Sequence, residues 1–178
     1  MKKIVCVLFL IFGLSTSHAQ MFKFGLKAGA NFSTLEGNNF EASNYTNIHF
    51  GGVVEVKLFE NLSIQPEFLY SSQGAKIDQA GFEDINFNYV TVPVLAKFYL
   101  TSKKLSLEAG PQFSFLLNQN LEDQFEAETF DFGAAVGLGY NVTEHFFVQA
   151  RYVMGLTEAN KDAEVTNRVV QLSVGYMF

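Results

Sequence analysis

The sequence predicts an all-β chain, an eight-stranded antiparallel up-and-down β-barrel that crosses a membrane with strands. Three observations predict it. Apolar residues recur at every second position through eight separate runs, and none of these runs sustains apolar residues at helical spacing. The connections between the runs are alternately tight and mostly longer, the pattern of a barrel with turns at one rim and loops at the other. The last run, Val169 to Phe178, sets Val170, Leu172, Val174, Tyr176 and Phe178 against small and polar neighbours. An exposed strand of this kind is an aggregation hazard in water. As the last stave of a closed barrel it would be zipped against the first.

Met1 to Gln20 reads as a secretory signal. Lys2 and Lys3 supply its charge, Ile4 to Leu14 its apolar core, and Ser17-His18-Ala19 a small-x-small cleavage site. Cleavage before Gln20 removes 1–19 and leaves 20–178 as the barrel domain. The apolar stretch is too short to span a bilayer. Cys6, the single cysteine, lies inside it. The mature chain then has no disulfide, thiolate metal site or cysteine nucleophile.

The runs follow in order. The first sets Phe22, Phe24, Leu26, Ala28, Ala30 and Phe32 against Lys23, Gly25, Lys27, Gly29 and Asn31. The second, Ile48 to Leu58, turns Glu55 and Lys57 to the polar face, and the third, Leu62 to Ser71, turns Glu67 there. The fourth, Tyr89 to Leu100, contributes Lys97, and the fifth, Leu105 to Leu117, contributes Glu108. The sixth, Thr129 to Tyr140, carries Asp131 and alternating glycines, and the seventh, His145 to Leu156, carries Arg151. Tight turns are expected at Glu60-Asn61, Thr101–Lys103 and Asn141–Glu144. Longer loops are expected at Leu35–Asn47, Gln79–Asp84, Asn118–Glu128 and Glu158–Val165. Eight strands starting on the short-turn side put both termini in the periplasm and the long loops outside.

One face of these runs holds nearly all the Phe, Leu and Val; the other holds Lys23, Lys27, Glu55, Lys57, Glu67, Lys97, Glu108, Asp131 and Arg151. A soluble ligand-binding barrel would invert this arrangement. A secreted β-sandwich would also bury one apolar face per sheet, so the alternation alone leaves it open. Two details favour a polar interior. Inward glycines suit a narrow lumen, and near balance between inward cations and anions is what a filled, ion-paired interior needs. Arg151 is the one Arg expected inside, with Glu67, Glu108 and Asp131 as candidate partners for its fork. Pro66, Pro93 and Pro111 fall inside strands, where each removes a ladder donor, so bulges or irregular pairing are expected there.

Other chemistry is thinly supported. Lys and Arg number 12 against 18 Asp and Glu, a balance that argues against nucleic acid. His49, near the outer rim, and His145, at the inner rim, are too far apart to share a metal. His49 with Ser33 is the one conceivable nucleophile pair, with no orienting acid evident. The acidic stretch Leu121–Glu126 lacks the spacing of a calcium loop. The expectation is no enzyme activity, no cofactor and no metal. Tyr70, Phe130, Tyr140, Tyr152, Tyr176 and Phe178 fit interfacial girdles.

Phrases along the whole mature chain carry a resemblance: FKFGLKAGANFS at 22–33, LSIQPEFLYSSQGAK at 62–76, YVTVPVLAKFYL at 89–100, AGPQFSFLL at 109–117, DFGAAVGLGYNV at 131–142 and FFVQARYVMGLTEA at 146–159. In order and spacing they resemble the small outer-membrane β-barrel proteins of Bacteroidetes, the PorT-like "porin family" group. The in-strand prolines match that group too. The resemblance implies a barrel in the OmpA size class, set in the bacterial outer membrane among lipid. It leaves the role open among a structural or interaction barrel presenting extracellular loops to an unknown protein partner, a narrow channel for small solutes or ions, and a secretion accessory. Bacterial outer-membrane barrels commonly end in a terminal Phe, so Val174, Tyr176 and Phe178 are the expected signal to the barrel-assembly machinery.

Overall fold

Period-2 alternation becomes a wall with two chemistries. The structure, a computed structural model, describes residues 21–37, 40–41, 45–75, 85–100, 104–119, 130–156 and 166–178. Its strands are β1 (Phe22–Gly37), β2 (Phe40–Glu41), β3 (Tyr45–Lys57), β4 (Leu62–Ala75), β5 (Ile85–Tyr99), β6 (Leu105–Gln119), β7 (Phe130–Asn141), β8 (Phe146–Gly155) and β9 (Thr166–Met177). Eight of these are staves; β2 is a two-residue return pairing Glu36 with Glu41 and Gly37 with Phe40. Neighbouring staves are antiparallel in chain order, and β1 pairs with β9 as well as with β3. The sheet therefore closes, and the sandwich alternative is excluded.

Closure requires a stagger between strands. Stepping across paired residues from Phe22 through Val56, Ile64, Ala96, Ala109, Val136, Tyr152 and Val170 returns to β1 at Phe32, a stagger of ten residues. Every residue on that circuit is apolar and faces outward. The outer wall is the apolar one throughout: Ile48 is 61 % exposed and Phe68 64 %, while inward Lys27 and Arg151 are each 2 % exposed. That is a globular protein turned inside out, stable where the outer solvent is hydrocarbon.

A lumen this narrow needs missing side chains on its wall. Gly175 is paired with Phe147, and a Cβ there would run into the Phe147 ring. Phe147 so seated packs with Val53 and Met177 into a buried apolar cluster towards the short-turn end. Leu95, Ala135, Val153 and Val169 form a second buried cluster.

The prolines do something more orderly than bulging. Between β3 and β4 the ladder skips the level of Pro66; between β4 and β5 it skips that of Pro93; between β5 and β6 it skips that of Pro111. Each proline still pairs with the following strand, to Val94, Gln112 and Ala134 respectively, and the register runs on unchanged past each gap. The missing donor of each proline points back to the preceding strand. Of the bulges or irregular pairing expected at the prolines, the structure shows irregular pairing, one ladder gap at each; the register shift of the β5–β6 ladder lies elsewhere, at Asn88/Tyr89.

Several strands reach further towards the long-loop end than the alternation suggested. β1 runs on to Gly37 and β3 begins at Tyr45, both inside the stretch expected as loop. The turn at Leu58–Asn61 is tight, with Leu58 and Phe59 both donating to the Leu62 carbonyl, as is the one before Phe146. Residues 1–20, the turn at 101–103, the acidic stretch 121–126, and the loops at 79–84 and 158–165 lie outside the described residues.

Candidate functional site

The inner face brings charges together at one level. Glu67 on β4 receives Arg151 of β8 through two parallel bonds, Nη1 to Oε2 at 2.9 Å and Nη2 to Oε1 at 2.6 Å. Lys27 of β1 donates to the same Oε2 at 2.7 Å, and Gln65 donates to Oε1 at 2.8 Å. A carboxylate offers about four acceptor positions, so Glu67 is saturated. The bidentate fork uses the geometry that distinguishes Arg from Lys.

Two amides carry the network outward. Gln149 Oε1 accepts from Lys27 at 2.8 Å and from Arg151 at 3.0 Å, and its Nε2 donates to Glu108. Gln65 Oε1 accepts from Lys97 at 3.1 Å. Lys97 lies 3.6 Å from both Glu55 and Glu108, and its ammonium also stands 5.3 Å from the Tyr99 ring centre and 5.5 Å from that of Phe147. Tyr99 donates to Glu55 at 2.7 Å, and Ser106 to Glu108 at 3.2 Å. Three cations (Lys27, Lys97, Arg151) thus meet three anions (Glu55, Glu67, Glu108). Neutral sums of this kind make burial of charge tolerable.

The remaining charges expected inside stand elsewhere. Lys23 and Lys57 are on the inward side of the alternation but at the short-turn mouth, and both are exposed. Water reaches them there because the strands end. Asp131 is half-buried at the long-loop end of β7, opposite Ser114. Of the candidate partners for Arg151, the guanidinium is bonded to Glu67 directly and reaches Glu108 through Gln149.

Above the charges lies a second polar layer. His49 was expected near the outer rim; it is 1 % exposed, because β3 starts three residues before Ile48. Its Nδ1 meets Asn31 Oδ1 at 2.7 Å, and its Nε2 meets Ser173 Oγ at 2.8 Å. The Asn31 amide nitrogen donates to Ser71 at 2.9 Å and to the Ser72 carbonyl at 2.7 Å, which leaves Oδ1 as the acceptor. His49 therefore carries its proton on Nδ1, and Ser173 donates to Nε2. The Ser–His–Asn order is that of a nucleophile set, with Ser173 in place of Ser33. Ser173 is 5 % exposed and Asn31 fully buried. His145 is exposed at the turn before β8, stacked on Tyr176 and 2.9 Å from the Met177 carbonyl.

The terminal residues form the outer surface of the closing seam. Val174, Tyr176 and Phe178 all point outward, Phe178 donates its amide to Phe24 O at 2.7 Å, and Tyr176 meets Phe146 edge-on at 4.9 Å between centroids. Among the described residues no three His, Cys, Asp or Glu converge as a metal site.

No curated protein matches this chain in sequence. The family model for an outer membrane protein beta-barrel domain matches residues 15–160. Among solved structures, the chain is similar to Ail, the attachment invasion locus protein of Yersinia pestis, with a TM-score of 0.61 at 14 % identity, covering 89 % of this chain and 99 % of that one. Neisserial surface protein A is similar with a TM-score of 0.59 at 16 % identity, covering 87 % and 97 %. OprG of Pseudomonas aeruginosa gives 0.51 at 11 % identity, covering 89 % and 94 %. At such identities the structures speak to the fold, which is the same closed antiparallel barrel. The chain belongs to the outer membrane protein beta-barrel domain family and is a protein of the bacterial outer membrane.

Proposed function

We propose that the protein is a structural or interaction barrel whose interior is a filled, ion-paired plug and whose long loops are its presented surface. The observation that carries this reading is the saturation of Glu67 by Arg151, Lys27 and Gln65 across the lumen. A hydrated ion passing that level would have to displace buried, charge-assisted bonds, each worth about 1.5–3 kcal/mol. The cluster of Val53, Phe147 and Met177 adds an apolar barrier.

The same reading makes residues 1–19 a cleaved signal and assigns the sequence to the PorT-like group of Bacteroidetes. Outer-membrane lipid covers the wall, and the assembly machinery reads Val174, Tyr176 and Phe178. The protein is not an enzyme on this reading, because His49 and Ser173 are walled off from any substrate. Extracellular partners act on the loops. The test is conductance of the purified barrel in a planar lipid bilayer at 1 M KCl. A silent membrane is the expected result; reproducible single-channel steps that vanish with the protein would replace this reading with a narrow channel.

A further inference from the structure

Deep in the barrel, two complementary polar atoms have no protein partner among the described residues: Nε of Arg151 and Oε1 of Gln171. Their residues are directly paired across the β8–β9 ladder, and each is 2 % exposed. Inward side chains of such a pair start about 5 Å apart at Cβ. Nε–H can only donate, and the amide oxygen can only accept. Each side chain is already held in place elsewhere. The terminal nitrogens of Arg151 are engaged by Glu67 and Gln149, and the Gln171 amide nitrogen donates to Asn31 Oδ1 at 3.0 Å. An unsatisfied buried group costs about 1–3 kcal/mol.

We infer that Arg151 and Gln171 form a built site for one internal water molecule. The chemistry of the pair selects the occupant. An anion would suit Nε–H but face the amide oxygen, and a cation would suit the oxygen but face the guanidinium. A neutral molecule that accepts on one side and donates on the other satisfies both, and between adjacent side chains only water is small enough. The water accepts from Arg151 and donates to Gln171. It thereby joins the charged layer around Glu67 to the His49 layer through Asn31, so that one network of hydrogen bonds and ion pairs runs from Gln73 to Tyr99.

The test uses the full-length barrel folded in detergent micelles with nitrogen-labelled arginine. The Arg151 Nε–H resonance is assigned by its loss in Arg151→Lys, then examined for magnetisation transfer from water. A direct, long-lived water contact is expected in the wild type. In Gln171→Leu, with folding checked by the gel shift on boiling, that contact falls by more than half. Transfer to Arg151 Nε–H only from protein protons in the wild type would overturn the proposal, whether or not the variant folds.

Discussion

His49 and Ser173 hydrogen-bond across Gly29, the residue of β1 that is paired with both of them. The imidazole lies over the glycine, so the absent side chain is what lets β3 reach β9 over an intervening strand. A Cβ at Gly29 would sit 2.7 Å from His49 Cε1 and 2.8 Å from Ser173 Cα, and against the Leu172 carbonyl oxygen.

Gly29→Ala should therefore destabilise the folded barrel by about 1–3 kcal/mol, the usual cost of forcing atoms into a packed interior. The urea midpoint of the folded band, followed by gel shift in lipid vesicles, reads this directly. An unchanged midpoint would show that the wall gives way freely at this point.

Removing the central carboxylate should cost more. Glu67→Gln leaves Arg151 and Lys27 buried around a neutral group, and breaking a buried pair in this way costs about 3–5 kcal/mol. Glu67→Leu combined with Arg151→Leu should cost less than the sum of those two single changes, because neither charge then stands without the other, although Lys27 still loses its carboxylate. Strict additivity of the two single losses in a double-mutant cycle would contradict the direct coupling seen between them.

Ser173 should behave as a structural hydroxyl. His49→Ala is expected to lower stability by about 1–3 kcal/mol through the orphaned partners Asn31 and Ser173. A fluorophosphonate probe should leave Ser173 of the folded wild type unlabelled. Labelling that disappears in His49→Ala would convert the buried set into a working nucleophile.

Charge on the outer wall should be costly in proportion to depth. Val136, 53 % exposed on the apolar face, should cost about 2–4 kcal/mol when changed to Arg if it lies near the bilayer midplane. Lys57→Ala at the exposed mouth should stay within about 0.5 kcal/mol of wild type, as surface changes usually do. Equal effects at the two positions would mean that the wall at Val136 does not face hydrocarbon.

The wall was legible in the sequence because a strand's side chains alternate regardless of its partners, so outward Ile48 and inward Arg151 could be told apart without any pairing. The site was less legible. Which carboxylate meets Arg151 depends on the height of each strand, set by the ten-residue stagger from Phe22 to Phe32, and no local pattern encodes it. His49 lies deeper than the alternation suggests because Tyr45–Asn47, polar enough to read as loop, are the first residues of β3. Ser173 was missed because its route to His49 passes over Gly29, and only the closing ladder puts those three residues on one level. The bridging amides Gln65 and Gln149 occupied inward positions in the alternation, but they carry no charge to draw attention to them.

The three proline gaps lie in adjoining ladders, from β3 through β6, while the ladders from β6 on through β9 and β1 to β3 are unbroken over their paired lengths. Hoop tension in a barrel is carried by the hydrogen bonds between staves. This barrel is therefore mechanically lopsided: a stiff arc on one side and a perforated panel on the other. When the membrane thins, thickens or bends, the expected outcome is that strain concentrates in the panel around Pro66, Pro93 and Pro111, which has fewer ladder bonds than the arc holding Arg151, Gln171 and the closing seam.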